Sequence, residues 1–335
     1  MRTLSFASLA YENKKKKTKR EKFLEEMDKV IPWDELLEEI KGYYPKAGNG
    51  RQPMPLKMML KIYFMQQWYK LSDPAMEDAL YDIESLRRFA EIDIATDVIP
   101  DETTILHFRH LLEKHELTRK IFAKTNQYLS DKGLLLREGT IVDATIINAP
   151  SSTKNRENTR DKEMHSTKKG NQWYFGMKAH IGTDIGKGLV HSVVVTNAAV
   201  HDSQVMDQLL HGEEQSVYGD SAYTSKARQT EYEGKGIEWC VNRKGCRHSQ
   251  LSIEDIEYNH KRSQTRARVE HVFRVVKHLW GYQKVRYKGL FKNTSQVFSL
   301  FTLANLYLVR NVLKVARAKY AKNTKNNKKD PKKRK

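Results

Sequence analysis

Asp143, Asp220 and Glu270 are three carboxylates in settings where a carboxylate is unusual. Asp143 interrupts the apolar run Gly139–Ile147, and Asp220 closes the short run Ser216–Gly219 just before Ser221-Ala222-Tyr223. Glu270 is the only acid between Arg266 and Lys277, a stretch that also carries Arg268 and Arg274. An ionised carboxylate in a buried strand is costly unless a cation answers it. Three such acids on separate elements of a very basic chain point to a shared divalent cation, and to a phosphate backbone as its target.

The elements must bring these groups together. Strand alternation puts Ile141, Asp143, Thr145 and Ile147 on one side and Val142, Ala144 and Ile146 on the other. Both sides are mostly apolar, as in a central strand covered on two faces, so Asp143 reaches solvent only where the strand edge opens. Asp220 ends its strand, where open α/β sheets place ligands. On a helical wheel with Arg266 at zero, Glu270 falls at about 40° and Lys277 at about 20°. Val269, Val272, Val276 and Leu279 form a separate stripe expected to pack on the sheet. Arg266 and Glu270 also suit a plain i,i+4 ion pair worth about 0.2–0.5 kcal/mol.

Charge distribution supports the polyanion reading. The 335-residue chain carries a net +19. Lys14–Lys22 holds seven Lys/Arg against one Glu, and Lys322–Lys335 holds eight against one Asp. Basic tails alone serve solubility equally well. A third block, Lys261–Lys292, has ten Lys/Arg against Glu270 alone, interleaved with Val, Phe, Leu, Trp and Tyr. That block must be folded, and folded basic surface suits nucleic acid. No apolar run reaches the roughly 20 residues of a membrane span, and the first residues lack a secretory apolar core. Only Cys240 and Cys246 occur. They exclude a disulfide framework and make a reducing, cytoplasmic setting the expectation. With His248 they match no common zinc spacing, and no fourth ligand is apparent.

Along the chain, residues 1–22 are expected to be a disordered basic N-terminus and 23–132 a helical domain. Leu56–Tyr69 has the all-round apolar pattern of a buried helix. Asp73-Pro74 is expected to cap a helix over 75–81, and Asp101 another. The latter carries His107, Arg109 and His110, which fit either a helix-turn-helix-like DNA reader or a scaffold and dimerisation layer. From Gly133 to 312 the period changes. Strands are expected over 140–147, 173–183, 189–196, 216–220 and 237–241, with a hairpin turn at Asp184–Gly188. Helices are expected from Asp202, over 225–233 and over 265–280, with Asp202 as a cap. Ser151–Lys169 reads as a mobile polar loop, and 313–335 as a basic tail. Three antiparallel strands followed by alternating helices and strands is the order of a ribonuclease-H-like α/β domain with a five-stranded mixed sheet.

At this point the motifs resemble a family. Asp220-Ser221-Ala222-Tyr223 is similar to the Asp-x-Gly/Ala-Tyr/Phe motif of insertion-sequence transposases of the IS4/IS5 superfamily. Arg266, Glu270 and Lys277 keep that family's Arg, Glu and Lys spacing, with three and six intervening residues. Tyr44–Arg51, Met76–Tyr81 and Lys169–Trp173 are typical of the IS5 group. Ser263 departs from the pattern, standing where the superfamily has a tyrosine.

The resemblance implies an Asp-Asp-Glu transposase. Asp143, Asp220 and Glu270 would hold two Mg²⁺ ions, with Mn²⁺ able to substitute. Arg266, Lys277, Arg274, Lys168, Lys169 and Trp173 would contact double-stranded DNA, both the element's terminal inverted repeats and the target. It further implies a homodimer or higher assembly on DNA in a bacterial cytoplasm, near the nucleoid. Trp173 and Tyr174 fit either stacking on an extruded base or sheet packing. Two other functions share these residues: a nuclease that cuts without joining, and an inactive DNA-binding relic or regulator.

Overall fold

The computed structural model describes residues 14–156, 158–245 and 250–329, with the side chains of 316–329 left aside. Cys246 and His248 fall outside these residues. Helices come first: α1 (Lys19–Val30), α2 (Trp33–Lys41), α3 (Leu56–Tyr69), α4 (Asp73–Asp82), α5 (Glu84–Ala90), α6 (Glu102–Lys114) and α7 (Leu117–Asp131). The sheet region follows with β1 (Gly139–Asn148), β2 (His165–Lys169), β3 (Gln172–Asp184), β4 (Val190–Asn197), β5 (Ser216–Gly219), α8 (Lys226–Gly234) and β6 (Glu238–Val241). Then come α9 (Ile253–Arg266), α10 (Val269–Arg274), a π-helical turn (Val275–Leu279) and the long α11 (Leu290–Lys329). No helix among the described residues is long and apolar enough to cross a membrane.

The protein is mixed α/β with a mixed sheet. β1 is central, antiparallel to β3 and parallel to β5, and β5 is parallel to β6. β4 pairs antiparallel with β3, and so does β2. The sheet therefore has six strands where five were expected. The extra one lies in Ser151–Lys169, because the polar residues 165–169 find hydrogen-bond partners on the exposed start of β3. The connection before it is also tied down, as Gly289 N–H donates to Asp161 (2.7 Å) and Leu290 N–H to Glu163.

One apolar core joins the helical region to one sheet face, through residues such as Phe64, Leu112, Ile141, Ile181, Val269 and Leu303. A smaller cluster covers the other face, where Val142 and Val217 meet Tyr223, Tyr232 and Trp239. α11 enters the helical layer from the far end of the chain. Its buried Asn305 donates to Asn126 (3.0 Å) and to Val190 O (2.7 Å), locking α7 to β4.

Several local expectations change for identifiable reasons. α1 begins at Lys19, inside the supposedly disordered N-terminus, because Thr18 and Glu21 form a reciprocal capping box. α11 runs to Lys329, through most of the expected tail. Ser72, not Asp73, caps α4, since Asp73 is drawn away to Gln66 (2.8 Å) and Arg109 (3.1 Å). Asp101 does cap α6, accepting from Thr104 N–H at 2.7 Å. The expected helix from Asp202 is two short 3-10 turns, and Asp202 pairs with Lys178 (2.9 Å) instead of capping. Arg109 is buried between Asp73 and Glu113 and over the Tyr287 ring, so it faces no DNA.

Candidate active site

The sheet opens where its parallel strands stop pairing. β5 matches β1 only at Gly139–Ile141, so from there to the Asn148–Lys284 bridge that edge of β1 has no strand neighbour. β5 ends at Gly219, and Asp220 turns the chain into a 3-10 turn, capping it by accepting from Ala222 N–H at 2.8 Å. Gly219 suits this turn: a Cβ there would stand 3.2 Å from both the Tyr223 and the Val142 side chains, which would have to shift by a few tenths of an ångström. Parallel strands that part in this way leave a crevice beyond their ends. Here the crevice is a cleft of about 820 Å³.

The third side is the helical rod α9–α10 and its π turn. Val269, Val272 and Val276 are buried, as the wheel requires. Phe273, which the wheel set near Glu270, is buried as well, its ring 6.5 Å from that of Phe301 on α11. Leu279 is not, at 55% exposure. The π turn adds a residue to the last turn, with Trp280 N–H bonding back to Val275 O (3.0 Å), and this rotates Leu279 outward. The rod also starts at Ile253, twelve residues before the expected helix start, on its own Ser252 cap.

Seven of the nine sequence-derived site residues line this cleft: Asp143, Asp220, Glu270, Arg266, Arg274, Lys277 and Lys169. The other two do not. Lys168 and Trp173 face each other across the exposed β2–β3 hairpin. Trp173 is 68% exposed, so it does not pack in the sheet.

Arg266 sits between two of the acids, its Nη1 being 3.3 Å from Asp143 Oδ2 and 4.0 Å from Glu270 Oε1. Asp143 also accepts from Ala144 N–H at 2.7 Å. These contacts do not compensate it. Burial pushes its carboxyl up to about 7, with the charges of Asp220 and Glu270 adding to the rise and Ala144 and Arg266 opposing it. Lys277 donates to Thr145 Oγ1 and to Ile146 O, both at 3.0 Å, which pins its ammonium against the open edge of β1. Burial first, and the nearby Lys169 second, lower its pKa. Thr145 was not singled out from sequence, although its position two residues after Asp143 puts it on the same face. His278 and Phe273 also line the cleft without a sequence signal that marked them.

The donor chemistry fits a hard divalent cation. Three carboxylates from three elements supply only oxygen, and Mg²⁺ needs few protein ligands because it keeps waters. Among the described residues no three His, Cys, Asp or Glu side chains are grouped closely enough to cage an ion. The cationic Arg266 lies between Asp143 and Glu270, where a metal would bring those carboxylates together. Cys240 is buried, and burial pushes its thiol up to about 11, which does not suit a thiolate ligand.

Comparison with known proteins agrees with this construction. A family profile described as "Transposase DDE domain" matches residues 135–306, and one described as "Transposase domain (DUF772)" matches 12–111. Among solved structures, the piggyBac transposase synaptic complex with hairpin DNA aligns at 10% identity and a TM-score of 0.42, covering 88% of this chain and 74% of that one. The Mos1 strand transfer complex aligns at 10% identity and a TM-score of 0.27, covering 81% and 79%. Those two likenesses are too low to bear on the fold, which stands on this chain's own strand order. The first profile spans just over half of the sequence, and the chain accordingly belongs to the DDE-domain transposases, of the IS4/IS5-like kind.

Proposed function

We propose that this DNA transposase, a member of the IS5 group, binds the terminal inverted repeats of its own insertion sequence. In this reading it cuts and joins DNA strands at the cleft of Asp143, Asp220 and Glu270. The observation that carries the reading is the composition of the cleft: three carboxylates from separate elements, walled by Arg266, Arg274, Lys277 and Lys169. The sheet supports it too. The order β4-β3-β1-β5-β6, antiparallel on one side of β1 and parallel on the other, matches a ribonuclease-H-like domain with β2 added.

Asp143, Asp220 and Glu270 would hold two Mg²⁺ ions, or Mn²⁺. Bound there, the ions would lower the pKa of an attacking water or DNA 3′-hydroxyl and stabilise the leaving oxygen. The protein's own cations position the backbone. Arg266 is close enough to Asp143 to exchange that carboxylate for a phosphate oxygen once the acid is otherwise neutralised. Lys277, held by Thr145 and Ile146 O, offers a fixed point charge beside the scissile phosphate. Arg274 and Lys169 extend the grip along the strand, and Lys168 and Trp173 on the exposed hairpin meet DNA outside the cleft. Residues 23–132 serve end binding, dimerisation or both, and joining two ends calls for a dimer or larger assembly on DNA in the bacterial cytoplasm.

The test uses duplexes carrying the element's ends, identified by sequencing the DNA that flanks the gene. Asp143→Asn, Asp220→Asn and Glu270→Gln should each abolish Mg²⁺-dependent cleavage while end binding persists. Glu270→Gln cutting near the wild-type rate would reduce Glu270 to a partner of Arg266. Cleavage without any strand joining by the wild-type protein would make it a nuclease.

A further inference from the structure

A second cleft lies further along the same chain segments that build the first. Asn148 at the end of β1 donates its N–H to Gln283 O (3.0 Å) and accepts from Val285 N–H (2.8 Å), the segment leaving the catalytic rod. Past this junction the segments enclose a cavity of about 390 Å³, with Arg156 and Arg160 on one wall and Arg286, Tyr287 and Lys288 on the other. Asp161 is the acid among its described lining residues. Its carboxylate oxygens face backbone N–H groups, of Glu163 at 3.1 Å and Gly289 at 2.7 Å.

Two of the cations are pre-positioned by neutral acceptors. Arg160 donates to Ser151 O (2.7 Å) and lies over the Phe175 ring at 5.3 Å, while Arg286 donates to Leu71 O (2.7 Å). Such bonds hold a guanidinium in place without neutralising it. A concave, cationic wall is suited to phosphate oxygens, which Arg binds with its planar fork. From Asp143 to Pro150 the strand path is about 23 Å at ~3.3 Å per residue. That corresponds to about seven base pairs at ~3.4 Å each.

We propose that this cleft seats backbone phosphates of the same duplex that is cut at Asp143, about seven base pairs from the scissile phosphate. The proposal rests on the reading of the carboxylate cleft as the cutting site. It makes the β1–β2 connection a second DNA clamp, held in place by Asp161 and Glu163 at the start of α11.

The full-length protein is titrated in EDTA, so that no strand is cut, with fluorescent duplexes continuing for about 4 or about 14 base pairs on each side of the cut site. Arg156→Ala/Lys288→Ala should weaken binding of the long duplex about ten-fold near 0.15 M salt and lower the salt slope by about two. The short duplex should be unaffected. Arg156 is exposed. Arg156→Ala alone should weaken long-duplex binding about three-fold and lower the slope by about one, without a folding defect. Unchanged affinity and slope on the long duplex would overturn the proposal, as would equal losses on both duplexes. Binding in EDTA is independent of the carboxylates' role, whereas a failure of the cutting-site reading would appear as Mg²⁺-dependent cleavage by Asp143→Asn.

Discussion

The helical layer and the cleft both bury charge, and they treat it in opposite ways. In the helical layer Lys61 meets Asp28 at 2.7 Å and Glu91 at 2.9 Å. Arg109 meets Glu113 at 2.9 Å and Asp73 at 3.1 Å. In the cleft, Asp143 has one cation at 3.3 Å and two further acids acting on it, and its carboxyl rises to about 7. Matched charges belong to structure. A half-buried acid left short of countercharge, at the open edge of a sheet, is what the proposed metal site needs a cation to answer.

This contrast predicts opposite phenotypes. The largest effect should be in the cleft: Asp143→Asn should lower cleavage at least about a thousand-fold, the several kcal/mol that metal chemistry contributes. Its thermal stability should be unchanged or raised, because an uncompensated buried charge is removed. Asp143→Asn that melts early and cuts normally per folded molecule would erase the distinction. In the helical layer Arg109→Ala should do the reverse. Stranding the buried Glu113 should cost about 3–5 kcal/mol in denaturant unfolding while leaving cleavage per folded molecule intact. Lys277→Ala lies between the two, since its bonds to Thr145 and Ile146 O are structural while the proposed function sets its ammonium to hold a DNA phosphate. Strong loss of cleavage with only a slight fall in melting temperature is expected. The opposite pattern would make the basic face of this rod structural.

Two smaller effects sharpen the same comparison away from the buried ion pairs. Deleting Lys322–Lys335, eight Lys/Arg against one Asp, should flatten the salt dependence of binding to random DNA, with less effect on discrimination for the ends. An unaltered slope would mean that this segment never touches DNA. Asp101 is a satisfied surface acid, held down to about 2 chiefly by its bonds to Thr104. Its folded pKa lies below the unfolded value of about 3.9. The stabilisation is therefore complete above about pH 4 and disappears as the pH falls toward 2. Asp101→Ala should cost about 1 kcal/mol at neutral pH, and the gap from wild type should close in acid. A constant gap down to pH 2 would remove the charge from the explanation.

Local signals in the sequence carried far. The three carboxylates, the Asp101 cap, the β3–β4 turn and the valine stripe could all be read from neighbours within a few residues. What could not be read depends on partners distant in sequence. Asp73 looks like a cap until Arg109 takes it, and Ser72 does the capping instead. Asp202 is drawn to Lys178, and residues 165–169 become a strand only because β3 offers them an edge. A constant 100° wheel cannot register a π turn, so Leu279 was placed inside although it lies outside. Arg109 could be read either as a DNA reader or as part of a scaffold; Glu113, four residues on along the same helix, was within reach of the sequence, but Asp73 and Tyr287, which complete its burial, arrive from other elements.

The account depends most on one claim, that Asp143, Asp220 and Glu270 share a divalent cation. Mn²⁺ binding can be followed by its paramagnetic signal on protein bound to an uncleavable end duplex, comparing wild type with Asp143→Asn. The account predicts two bound ions in the wild type and at least about a ten-fold loss of affinity in Asp143→Asn, the cost of removing one carboxylate ligand. Equal Mn²⁺ occupancy and affinity in the two proteins would contradict it.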